Sequence, residues 1–149
     1  MKKIISLLFV VFAINLCSSQ NLNLKLLDQI SKISFVDIDD VMINGYGFKK
    51  MKEENGMITY MKFVNDDVDN FLIINIIDSK NYPYHSLDIS IGKKFSKQKF
   101  IDNLIEEGYL YNGSNDYGFS TYKKEDTYYL ISKEPNKAGS NQILKLYNE

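Results

Sequence analysis

Arginine and tryptophan are absent from this chain, and cysteine, histidine and proline are scarce: one, one and two in 149 residues. Each absence closes off a class of chemistry. Without arginine there is no planar fork to grip phosphate or carboxylate through two parallel hydrogen bonds. All 18 basic residues are lysines, set against 19 acids. That balance gives none of the basic surface that displaces counterions from nucleic acid, so no nucleic-acid partner is expected. The single histidine, His85, leaves no imidazole pair for a metal or a proton relay. A triad with Ser86 and Asp88 fails because neighbouring strand side chains point to opposite faces, and His85 is expected to be a surface or loop residue. The chain holds no Gly-x-Ser-x-Gly elbow, zinc spacing, phosphate loop or dinucleotide fingerprint. The acidic run Asn65–Asn70 fails as a calcium loop, since Asn70 and Ile76 stand where glycine and glutamate are required. Glu106 and Glu107 are adjacent and so do not flank a scissile bond. No catalytic residue, cofactor or metal site is therefore assigned.

The one cysteine, Cys17, falls in the opening segment MKKIISLLFVVFAINLCSSQ. Lys2 and Lys3 precede an apolar stretch from Ile4 to Leu16, and Cys17-Ser18-Ser19 supplies small residues. This is the pattern of a secretory signal peptide over residues 1–19, with Gln20 as the mature N-terminus. The alternative is a lipidated Cys17, although Asn15 and Leu16 depart from the small residues that usually precede such a cysteine. In either case the protein is exported, secreted or periplasmic, and it meets a membrane only through a lipid on Cys17. Cleavage after Ser19 leaves 16 lysines against 19 acids, a net charge of −3, and no thiol for a disulfide or a nucleophile.

What remains, residues 20–149, reads as a single α+β domain. The clearest element is a helix over Phe95 to Tyr109. Ser96 is its N-cap, Phe95 and Phe100 close a hydrophobic staple, and Gly108 stops it. Phe100, Ile101, Leu104 and Ile105 form its apolar stripe, with Phe100, Leu104 and Ile105 expected to bury against a sheet. A paler copy runs from Phe35 to Asn44, with Ser34 and Asp37 as an approximate capping box and Ile38 and Val41 facing inward. A first helix is expected near Leu24 to Lys32. Strands are expected at Met57–Val64, Phe71–Ile77, Ser86–Gly92, Phe119–Lys123, Thr127–Ser132 and Gln142–Tyr147, with a short extended piece at Phe48–Met51. Phe71–Ile77 is apolar enough for a strand buried on both faces or central in the sheet. Ser86–Gly92 alternates, with Leu87, Ile89 and Ile91 on one face and Ser86, Asp88 and Ser90 on the other. Tyr111–Gly118 is expected to be a turn-rich link. The pattern predicts two related halves, about 24–92 and 93–149, each a helix packed on three antiparallel strands.

That layout resembles the tandem helix-on-sheet domains of the beta-lactamase inhibitor proteins and similar small envelope proteins, and it is similar to small secreted proteins of Gram-negative bacteria. None of the short signatures of the inhibitors is present. The resemblance implies non-enzymatic protein binding. The residues themselves suggest the same class through their tyrosines: Tyr82, Tyr84, Tyr122, Tyr128 and Tyr129 are the candidate contacts for a protein partner, because tyrosine joins area with a hydroxyl at low entropic cost. A lipid-anchored structural protein and a small hydrolase are the alternatives.

Overall fold

Two kinds of local signal build the chain: capped amphipathic turns, and apolar–polar alternation cut by Asn-Gly and acidic turns. The computed structural model describes residues 22–79 and 84–147. The signal segment, Cys17, Gln20 and Tyr82 lie outside the described residues.

Helix α1 (Leu24–Lys32) starts at Asn23, whose side chain accepts from Lys25 N. It buries Leu26, Leu27 and Ile30. A π-helical segment, π1 (Asp40–Gly45), follows. The sequence predicts an α-helix over Phe35–Asn44 here, but residues 35–37 form a turn. The wider winding lets Tyr46 N reach Val41 O at 3.1 Å while Ile38 and Met42 remain fully buried. The expected cap is present, with Asp37 N donating to Ser34 Oγ at 3.3 Å. Helix α2 (Lys97–Glu106) matches its signals: Ser96 Oγ accepts from Lys99 N, Phe95, Phe100 and Leu104 are buried, and Gly108 takes a left-handed φ of +90°. Ile105 departs from expectation and is 55% exposed. It lies about 100° further round the helix than Leu104, past the edge of the buried stripe.

The strands are β1 (Lys49–Glu54), β2 (Met57–Val64), β3 (Asp67–Ile77), β4 (Ser86–Ile91), β5 (Leu110–Ser114), β6 (Phe119–Lys124), β7 (Thr127–Ser132) and β8 (Asn141–Tyr147). They form one antiparallel sheet in the order β1-β2-β3-β4-β8-β7-β6-β5. The sheet thus has eight strands where the sequence predicts six. β1 is a full strand, because Asn55 and Gly56 both take positive φ and close a tight hairpin. β3 runs back through the acidic run Asn65–Asn70 to Asp67, since Asn65 and Asp66 alone make the turn. β5 occupies the expected link. Its polar residues and Gly113 hide it from a strand reading, and a register shift between Tyr111 and Ser114 lets it pair with β6.

Both helices lie on the same face of the sheet. Lys145 of β8 reaches Leu27 of α1, and Phe100 of α2 meets Tyr129 of β7 edge-on at 5.7 Å. The core fills that side with Ile58, Tyr60, Leu72, Ile74, Ile76, Leu87, Ile89, Ile91, Ile143, Tyr129 and Ile131. β3 is an interior strand of the sheet, between β2 and β4, and is buried on one face only; Phe71, Ile73 and Asn75 on the other face keep partial exposure. His85 lies, as one of the two expectations has it, in the loop that leads into β4, and it is buried at 8% there. Its backbone N donates to Ser31 O at 2.7 Å, its Nε2–H donates to Ile33 O at 2.9 Å, and the Phe35 ring covers it edge-on. The residue pins β4 to the end of α1, a role decided by tertiary contact.

Candidate functional site

With both helices on one side, no helix among the described residues covers the other face of the sheet. Antiparallel pairing places directly opposed residues on the same face, so the register maps this open face rung by rung. The middle rung is Thr59, Asn75, Asp88, Leu144, Leu130 and Thr121, across β2, β3, β4, β8, β7 and β6. On one side of it lie Met61, Ile73, Ser90 and Gln142, and on the other Met57, Ile77 and Ser86. Leu146, Tyr128 and Lys123 continue the outer row toward β6. β4 therefore draws a polar line down the centre, and the strands to either side carry apolar residues.

The polar line is tied together by side chains. Thr59 Oγ1 donates to Asn75 Oδ1 at 2.8 Å. Gln142 Nε2 donates to Asp88 Oδ1 at 2.9 Å, and Asn75 Nδ2 donates to Asp88 Oδ2 at 3.4 Å. These amides fix the Asp88 carboxylate and keep it standing on the sheet. At the Ser90 end the face opens into a cleft of about 540 Å³ lined by Tyr117, Phe119, Ser132, Asn136 and Gln142. Asn115 shapes its rim by accepting from Tyr117 N and Phe119 N.

The candidate tyrosines do not form one surface. Tyr128 stands on the open face, half-buried, with Lys123 Nζ 5.0 Å from its ring centre. Tyr129 points the other way and is 1% exposed, between Phe100 and Tyr109. Burial pushes its hydroxyl well above the usual tyrosine range. Tyr122 is buried on the same helix-covered face, edge-on to Tyr111. Tyr84 sits against Tyr147 at 4.8 Å beside α1. Period-2 alternation accounts for the division of Tyr128 from Tyr129.

A second polar cluster, not singled out in the sequence, lies beneath α1. Lys145 is 0% exposed, yet its ammonium donates to Ser31 Oγ at 3.0 Å, Asp28 Oδ1 at 3.3 Å and Leu27 O at 3.4 Å. Burial drives its pKa down to about 8, against the pull of Asp28. Burial opposes the charge on Asp28 too, but Lys32 and Lys145 outweigh it and hold that carboxyl below its usual range. Tyr147 Oη lies 2.6 Å from Ser31 Oγ, and burial raises its pKa to about 12. The cluster is internally satisfied and fastens α1 to the sheet. The signal for it was the phase Ile143-x-Lys145-x-Tyr147, which puts Lys145 on the buried side of β8.

Among the described residues no group of three or more His, Cys, Asp or Glu side chains is placed to hold a metal ion, and no helix is long and apolar enough to cross a membrane. The chain matches no family model, and no curated protein or solved structure matches it either.

Proposed function

We propose that this chain is an exported protein-binding module that docks its partner on the open face of the sheet. The observation that carries the reading is the composition of that face. A sheet with one face in water ordinarily sets polar residues there. Here Met57, Met61, Ile73, Leu130, Leu144 and Leu146 all keep partial exposure around the polar line. Apolar side chains gathered on an uncovered sheet face, to either side of a polar line, mark an interaction site, and the fixed amides of Asn75 and Gln142 give a partner defined hydrogen-bond positions. Of the tyrosine candidates, Tyr128 serves this face. Export rests on the signal pattern at the N-terminus.

The reading includes a two-half organisation. Its support is the mirrored strand order, β1 to β4 and then β8 back to β5, with each run preceded by a helix capped by a side chain, Asn23 or Ser96. The layout resemblance to the beta-lactamase inhibitor proteins points to the same class of function by analogy. The test is retention of a partner by tagged protein exported from its own cells. A stoichiometric protein should co-purify with the natural chain and with Ile105→Glu, which alters exposed helix surface, and should be lost with Leu144→Glu or Leu130→Glu. Equal retention by all four chains would defeat the proposal.

A further inference from the structure

We infer that the open face is built for a partner segment that sets one cationic side chain, lysine or arginine, on Asp88, with apolar residues to either side; this rests on the docking reading above. Asp88 lies on the middle rung, beside Asn75 on β3 and Leu144 on β8. Among the described residues at the paired positions of this face on β2, β3, β4, β8 and β7, it is the one charged side chain. Its oxygens are held by two neutral amides, and no lysine among the described residues pairs with it. Two lysines share this face: Lys52 of β1, on the rung of Asp88 and paired with Glu54, and Lys123 of β6, each three strands over. At about 4.8 Å per strand that is roughly 14 Å across the sheet for each, and the Lys123 ammonium is engaged over the Tyr128 ring.

The consequence follows from desolvation. A partner that covers the apolar flanks also strips water from Asp88. Two neutral amides do not compensate a buried carboxylate, so an apolar or acidic partner meets a penalty at the centre of the interface. A partner that brings an ammonium or guanidinium to the free lone pairs turns the same group into an attraction that sets register and excludes competitors. A second copy of this chain, packed face to face about a two-fold axis through Asp88, brings carboxylate to carboxylate and is disfavoured. The amide clamp keeps the carboxylate in place before binding, which lowers the ordering cost.

The experiment selects displayed cyclic peptides on the purified chain, with Leu144→Glu and Asp88→Asn measured against the winners. Asn is isosteric with Asp, and thermal melts confirm that each variant is folded. Peptides that lose binding to Leu144→Glu should carry a lysine or arginine flanked by apolar residues. Their affinity should fall roughly 10- to 100-fold with Asp88→Asn, the value of one charge-assisted contact. Asp88→Lys should select acidic residues in the same position. If the peptides require Leu144 but carry no basic residue and ignore Asp88→Asn, the charge inference fails and the docking face stands. If no peptide depends on Leu144, both fail.

Discussion

Lys145 offers a quantitative test of the packing on the helix-covered face. Its ammonium is fully buried, and its pKa falls from the ordinary 10.5 to about 8. Between those values the unfolded chain holds a proton that the folded chain has lost, so stability rises with pH. One pKa unit is worth about 1.4 kcal/mol. Integrated from pH 7.5 to 9.5, the linkage amounts to a gain on the order of 2 kcal/mol. Tyrosines oppose it. Tyr60, Tyr129 and Tyr147 have raised pKa values, chiefly through burial, so the unfolded chain loses those protons first and stability falls as pH passes 10. The control is Lys145→Met, which keeps the volume of the side chain and removes its titration. The tyrosines are common to both proteins, and Asp28, held below its usual range, stays ionised throughout the window. Urea melts at pH 7.5, 8.5 and 9.5 should show natural-chain stability rising relative to Lys145→Met by about 2 kcal/mol. Parallel pH profiles would refute the buried ammonium.

Two further substitutions probe the same architecture. Leu104→Ala, at a fully buried position, should destabilise by about 2–5 kcal/mol in denaturant melts; a near-neutral effect would place the α2 stripe elsewhere. Gly92→Ala should cost about 1–3 kcal/mol, because an added Cβ would meet Asp69 O at 2.5 Å and Phe71 N at 2.8 Å, backbone atoms held by the Gly92 N to Phe71 O bond. A gain in stability would mean that β3 and the end of β4 are further apart than described.

Local signals were legible and pairing was not. The cap and glycine stop of α2 rest on a few neighbouring residues, and they appear as read. So does the division of β4 into Leu87, Ile89 and Ile91 inside and Ser86, Asp88 and Ser90 outside, because alternation fixes faces within a strand. β5 carries a weak local signal and owes its strand form to β6. The exposure of Ile105 and the burial of His85 escape a sequence reading for a related reason: the width of the buried stripe and the docking of Phe35 and α1 are set by the assembled sheet. The candidate site mixes both cases. Its polar line was visible as every second residue of β4. Its openness depends on both helices choosing the same face, and the assignment of Tyr128, apart from Tyr122 and Tyr129, follows from register.

The docking face is tested most directly by photo-crosslinking from single positions. A photoreactive phenylalanine analogue is placed at Leu130 or Tyr128 on the open face, and at Ile105 or Val36, exposed outside the sheet's open face, with the protein expressed and exported from its own cells. Docking on the open face predicts one discrete crosslinked protein from Leu130 and Tyr128 and none from Ile105 or Val36. Adducts from Ile105 or Val36 with none from the sheet would contradict it.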